Sequence, residues 1–126
     1  MPSRFIVVLA LLTAATAARA QAPVAPADFP PDAKPLNAEA LQARITGKVF
    51  GVKPAAGSAW RLQFQSSGFY FIDAGNFRDN GKWRIEESRL CTAPQTRPAA
   101  CNEMRLAGEV LYMKRDSGEI VKFEPN

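Results

Sequence analysis

Short runs of alternating apolar and polar residues, several of them launched from a glycine, commit this chain to β-structure. Ser58–Gln65 (SAWRLQFQ) places Trp60, Leu62 and Phe64 on one face and Arg61, Gln63 and Gln65 on the other, the period of two that a half-buried strand requires. Lys82–Glu86 (KWRIE) repeats it, with Trp83 and Ile85 against Lys82, Arg84 and Glu86. Phe69–Ile72 (FYFI) and Val110–Met113 (VLYM) are apolar on both faces, which predicts strands covered on the second side as well, a short helix being one candidate lid. Ser66-Ser67-Gly68, Asp79-Asn80-Gly81, Leu106-Ala107-Gly108 and Asp116-Ser117-Gly118 each end in glycine just before such a run and read as reversals. The spacing predicts strands at 48–53, 59–65, 69–73, 82–86, 89–92, 101–106, 109–114 and 119–123. Connections this short exclude parallel crossovers. The expected fold is therefore mainly β: an antiparallel meander of about eight short strands, forming a small barrel or a strongly curved sheet.

One short N-terminal helix accompanies it. Leu36–Gly47 (LNAEALQARITG) has Asn37 as N-cap, Glu39 in the first turn and Gly47 after the last. Leu36 and Leu41 have the spacing of a hydrophobic staple, and Leu41 and Ile45 form a narrow apolar stripe. A helix of this length needs a larger surface to dock on.

Upstream, Arg4, the apolar run Phe5–Leu12 and Ala18-Arg19-Ala20 have the order of an export signal, which predicts cleavage between Ala20 and Gln21. The run is much shorter than the roughly 20 residues that cross a bilayer, so no membrane span is expected in the mature chain. Gln21–Pro35 carries five prolines in fifteen residues and reads as a disordered Pro/Ala-rich tether, leaving 36–126 as a single domain. Cleavage leaves 14 positive and 12 negative charges, interspersed along the chain, which argues against a nucleic-acid partner. The expected location is periplasmic or secreted.

Two cysteines in an exported chain of this size imply one disulfide, Cys91–Cys101. It would pin the loop Thr92–Ala100 (TAPQTRPAA) and remove about 2.5 to 3 kcal/mol of unfolded-state entropy. No close Cys-x-x-Cys spacing suggests redox activity.

The chain has no histidine. Most catalytic triads, zinc hydrolases and imidazole acids are thereby excluded, and no metal site, cofactor or catalytic residue is assigned. Asp73, Asp79, Glu86 and Glu87 are carboxylates in principle able to cleave glycosides, but the sequence pairs none of them, and Asp79 falls in an expected Asn-Gly turn. Ser58, Ser66, Ser67, Ser88 and Ser117 fall in turn-like segments, where hydroxyls bond nearby backbone more readily than they serve as nucleophiles beside a lysine. Trp60, Tyr70, Trp83 and Tyr112 are the candidate walls of a ligand cavity, with core packing the competing role. Arg61 and Arg84 hold equivalent places beside tryptophans and form a candidate basic strip on the outer face. Arg97, on the pinned loop, is the candidate anchor for a protein contact.

The export signal, the Leu36-x-x-Glu39-x-Leu41 helix ending at Gly47, Gly81-x-Trp83, Leu90-Cys91, Cys101 and a final glycine turn and strand together resemble small exported bacterial proteins classed as a domain of unknown function. The resemblance spans 36–123 and implies a bacterial periplasmic or secreted β-rich domain, with no active site to carry over. The leading expectation is a non-enzymatic exported module that binds a partner protein or a small envelope ligand. A small hydrolase using carboxylate or Ser/Lys chemistry, and a secreted inhibitor or accessory protein, are the alternatives.

Overall fold

The computed structural model describes residues 28–126. The expected cleavage site and residues 21–27 of the expected tether lie outside that range. Among the described residues, no helix is long and apolar enough to cross a membrane.

The chain runs β1 (Lys34–Pro35), α1 (Ala38–Ile45), β2 (Val49–Val52), β3 (Trp60–Phe64), β4 (Phe69–Asp73), β5 (Arg78–Glu86), β6 (Arg89–Pro94), β7 (Ala100–Ala107), β8 (Val110–Lys114) and β9 (Ile120–Pro125). All pairings are antiparallel, and β2 to β9 close into an eight-stranded barrel. Closure depends on the length of β7. Its first half, from Ala100 to Glu103, pairs with β6, and its second half, from Met104 to Ala107, pairs with β8. Where β6 leaves off, β1 takes over the vacated side of β7 through Lys34↔Leu106 and Pro35↔Arg105.

The alternation of the sequence becomes inside and outside. Leu62 and Phe64 of β3, Tyr70 and Ile72 of β4, Trp83 of β5, Met104 of β7 and Phe123 of β9 are buried in one core. Phe64 is its hub, edge-on to Trp83 at 5.5 Å and stacked with Tyr70 at 6.1 Å and Phe123 at 6.4 Å between ring centroids. Such aromatic pairs add to what area burial alone contributes.

The helix forms and docks as its caps and stripe predict. Asn37 Oδ1 accepts from the Ala40 N–H at 2.8 Å, Leu36 packs on the core, and Leu41 and Ile45 are fully buried in it. At the far end Gly47 takes a positive φ of 73° and donates its N–H to the Phe64 carbonyl at 2.8 Å, which fastens α1 across the barrel end where β3 finishes. Cys91 and Cys101 face each other in register and are joined by a disulfide.

Four expectations are corrected. Asp79-Asn80-Gly81 is not a reversal: β5 runs straight through it, and the reversal comes at Ala74–Phe77, with Gly75 at positive φ. Gly81 is required for a different reason, since a Cβ there would lie 2.0 Å from the Ala93 carbonyl oxygen across the β5–β6 ladder. The second face of β4 is bare, with Phe69 and Phe71 exposed, because none of the described residues packs outside that flank. The second face of β8 is covered by the chain ahead of α1 and not by α1 itself. There Phe29 and Ala33 bury against Ile120 and Tyr112, and Arg105 lies over the Phe29 ring at 4.6 Å, so the described part of the expected tether, 28–35, belongs to the domain.

Candidate functional site

The barrel end opposite α1 is open. There a cavity of about 310 Å³ enters the interior between β3, β4, β6, β7, β8 and β9. Its walls are apolar, with Trp60, Leu62, Tyr70 and Ile72 on one side and Met113 and Phe123 on the other. Its rim is polar, carrying Thr92 and Arg97 from β6 and the loop beyond it, Asn102 from β7, and Arg115, Asp116 and Ser117 from the β8–β9 turn. The alternation that fills the lower barrel with rings continues upward, but the inward positions near the mouth carry the smaller or polar Thr92 and Asn102, so the interior is not filled there.

Two carboxylates hold the loops around this mouth. Asp79 points inward from β5 and accepts hydrogen bonds from the Asn80 N–H at 2.8 Å, the Gln95 N–H at 3.3 Å, the Thr96 N–H at 3.2 Å and the Thr96 hydroxyl at 2.6 Å. The Thr96 hydroxyl above all, with these backbone donors, holds its carboxyl below the usual aspartate value against the opposing effect of burial. The loop is thus folded back onto β5, and Arg97 lies over the Phe77 ring at 4.8 Å with its Nε 4.0 Å from Asp79. Across the mouth, Glu119 accepts from the Ala55 N–H at 2.7 Å and from Arg115, which ties the β2–β3 loop to the β8–β9 turn. The Ala55 N–H, then Arg115, keeps the Glu119 carboxyl below its ordinary value. Arg115 in turn lies over the Trp60 ring at 4.7 Å.

Burial pushes the Tyr70 phenol above its ordinary value, while the Thr92 hydroxyl and then the Arg97 guanidinium pull the other way. Tyr70 therefore keeps its proton at neutral pH and can act as a hydrogen-bond donor.

Of the four aromatics singled out in the sequence, the fold brings Trp60 and Tyr70 to the cavity and separates the other two from it. Trp83 lies toward the α1 end, with its Nε1–H donating to the Gln65 carbonyl at 2.9 Å, and Tyr112 lies on the outer face with Phe29 and Ala33. Arg97 is on the rim, half-exposed.

The four carboxylates weighed for hydrolysis are dispersed. Asp73 faces outward and pairs with Arg78 at 3.2 Å, Asp79 faces inward, Glu86 ends β5 at the opposite end of the barrel, and Glu87 occupies a turn with a positive φ of 56°. Ser67 donates to Gln65 and Ser117 accepts from the Glu119 N–H, local turn contacts of the expected kind. Glu86 lies 3.7 and 3.9 Å from the sulfurs of Cys91 and Cys101, a set of ligand-type residues, but the two sulfurs are bonded to each other and offer no thiolate to a cation.

The sequence reading missed Asp79 as a loop anchor because its Asp-Asn-Gly context signals a turn. It also missed Arg115 and Glu119, whose spacing on either side of Asp116-Ser117-Gly118 is a legible sign of an ion pair closing a turn. Compared with protein-family models, curated proteins and solved structures, the chain matches none.

Proposed function

We propose that this chain is an exported, non-enzymatic binding module of the small bacterial β-rich kind its Gly81-x-Trp83, Leu90-Cys91 and Cys101 pattern resembles, and that its open end takes up a small amphipathic ligand of the cell envelope. The observation that carries this reading is the cavity itself: a volume at the lower end of the ~300–1,000 Å³ range of small-molecule sites, with mainly apolar walls and several polar groups converging on it. The apolar body of a ligand would sit against Trp60, Leu62 and Ile72. Its polar end would meet the donors of Arg97 and Tyr70 and the hydroxyl of Thr92.

Native mass spectrometry of the protein purified from the envelope fraction tests it. The expected result is a retained small-molecule adduct that disappears in Ile72→Phe, which fills the cavity while leaving the outer face unchanged. A bare protein mass, together with unchanged tryptophan emission on titration with the lipophilic probe anilinonaphthalene sulfonate, would overturn the reading.

The pinned loop supports a second reading, contact with a partner protein as an accessory or inhibitor. Residues 95–99 are exposed, and their base is bridged by the disulfide, which lowers the ordering cost of binding. In that case Arg97→Ala weakens a complex isolated from the envelope without unfolding the domain. If the change unfolds the domain instead, the role of Arg97 is structural. Hydrolysis has less support, since no Ser–Lys hydrogen bond forms among the described residues and Asp73, Asp79 and Glu86 stand apart.

A further inference from the structure

Among the described residues, the exposed large apolar side chains are Phe69, at 46% exposure, and Phe71, at 42%. They are two apart on β4 and therefore project from the same outer face. The strands on either side supply cations to that face. Lys82 of β5 stands directly opposite Phe69, while Arg61 of β3 stands opposite Asp73 and so diagonal to Phe71. Arg78 and Arg84 of β5 complete the border. Of the acids nearby, Asp73 is matched by Arg78 at 3.2 Å and Glu86 by Arg84 at 3.0 Å and Arg89 at 3.1 Å, while Glu124 of β9 shares the cleft beside Gly51 with Arg61 and leaves the cations of this flank in excess. Arg61 and Lys82 form no ion pair among the described residues, so this flank carries surplus positive charge around an apolar centre.

We propose that the β3–β4–β5 flank is a docking surface for an anionic lipid bilayer, with Phe69 and Phe71 entering the interface and Arg61 and Lys82 meeting lipid phosphates. The two aromatic side chains supply apolar insertion, and the flanking cations add the second signal that reversible attachment needs, with a preference for negatively charged membranes. A protein partner of ordinary interface composition would be expected to meet a broader apolar core with charge confined to the rim, whereas here two isolated rings sit among cations. The barrel is held with its wall against the bilayer, and the cavity, at one end of the barrel, is left uncovered. This surface is separate from the cavity, so the inference stands or falls independently of the ligand reading.

The test is flotation of the oxidised protein with vesicles of phosphatidylglycerol and, in parallel, of phosphatidylcholine, at low and high salt. Binding to the anionic vesicles and not to the neutral ones is expected, falling as salt rises. Arg61→Gln and Lys82→Gln are each expected to weaken it about fivefold, the equivalent of about 1 kcal/mol per basic side chain near a charged surface. Phe69→Ser with Phe71→Ser should abolish flotation, with unchanged circular dichroism confirming that the barrel is intact. Equal binding to both vesicle types, or full binding by the double phenylalanine variant, overturns the proposal. So does the absence of vesicle binding with concentration-dependent dimerisation that the double variant loses, which would assign the patch to a second copy.

Discussion

At the end closed by α1, Leu41 and Ile45 are wholly shielded from solvent, whereas the open mouth is bordered by loops held through Asp79 and Glu119. One end is sealed by apolar area, whereas the other stays open and its bordering loops are held by hydrogen bonds to carboxylates. Burial is non-directional and tolerates no access, while a loop held by a few directed bonds can open at modest cost. Buried apolar area thus holds the end that has no opening, and the cavity lies where the bordering loops depend on ionised carboxylates.

The sharpest way to break this comparison is at the closed end. Ile45→Ala removes a fully buried side chain from the plug, and a loss of about 2–5 kcal/mol in unfolding free energy is expected by urea denaturation. Under the ligand proposal, the adduct it expects should be unaffected in the fraction that remains folded. If Ile45→Ala costs no more than a surface change, α1 is not the plug it is described to be.

An intermediate effect is expected at the mouth, and it depends on pH. Asp79 has a depressed carboxyl pKa in the folded state, so its contribution is fully present above the ordinary aspartate value of about 3.9 and is lost as the pH falls through its lower folded value. Hydrogen exchange should show the Gln95 and Thr96 amides protected at neutral pH and losing protection in that acid window, before Leu41 and Ile45 respond. Asp79→Asn should produce the unprotected loop at neutral pH. Equal protection in the variant would show that the disulfide alone holds the loop.

The smallest effect belongs to the outer wall, which neither end uses. Phe71→Ser should change unfolding free energy by no more than about 0.5 kcal/mol, since the ring is exposed and closes no cavity. A larger loss in denaturation experiments would mean that the bare flank contributes to the fold.

How far the sequence discloses this depends on whether local pattern and tertiary setting agree. Trp60, Leu62 and Phe64 alternate with polar residues, and Asn37 and Gly47 bracket an apolar stripe, so both the strand and the helix are written in adjacent residues. Asp79-Asn80-Gly81 misleads because its local signal is for a turn, while a loop sixteen residues further on supplies the donors that keep Asp79 inside a strand. Phe69–Ile72 misleads in the opposite way, since apolar residues on both faces look covered until the barrel shows that, among the described residues, none lies outside β4. Trp60 and Tyr70 were legible as cavity residues by type. Trp83 and Tyr112 are of the same type, and only the closure of the sheet and the path of 28–35 separate them from the mouth.

The way β7 divides its pairing between β6 and β8, with β1 filling the rungs that β6 leaves, has a further consequence. A sheet that returns on itself offers an incoming peptide no long row of free amides and carbonyls, and the added segment β1 is only two residues long and ends in Pro35. Recognition by strand addition, which needs such a row, is disfavoured. The same economy of open edges protects the chain from stacking on its neighbours, and among the described residues it leaves side chains, at the mouth and on the wall, as the groups available for contact.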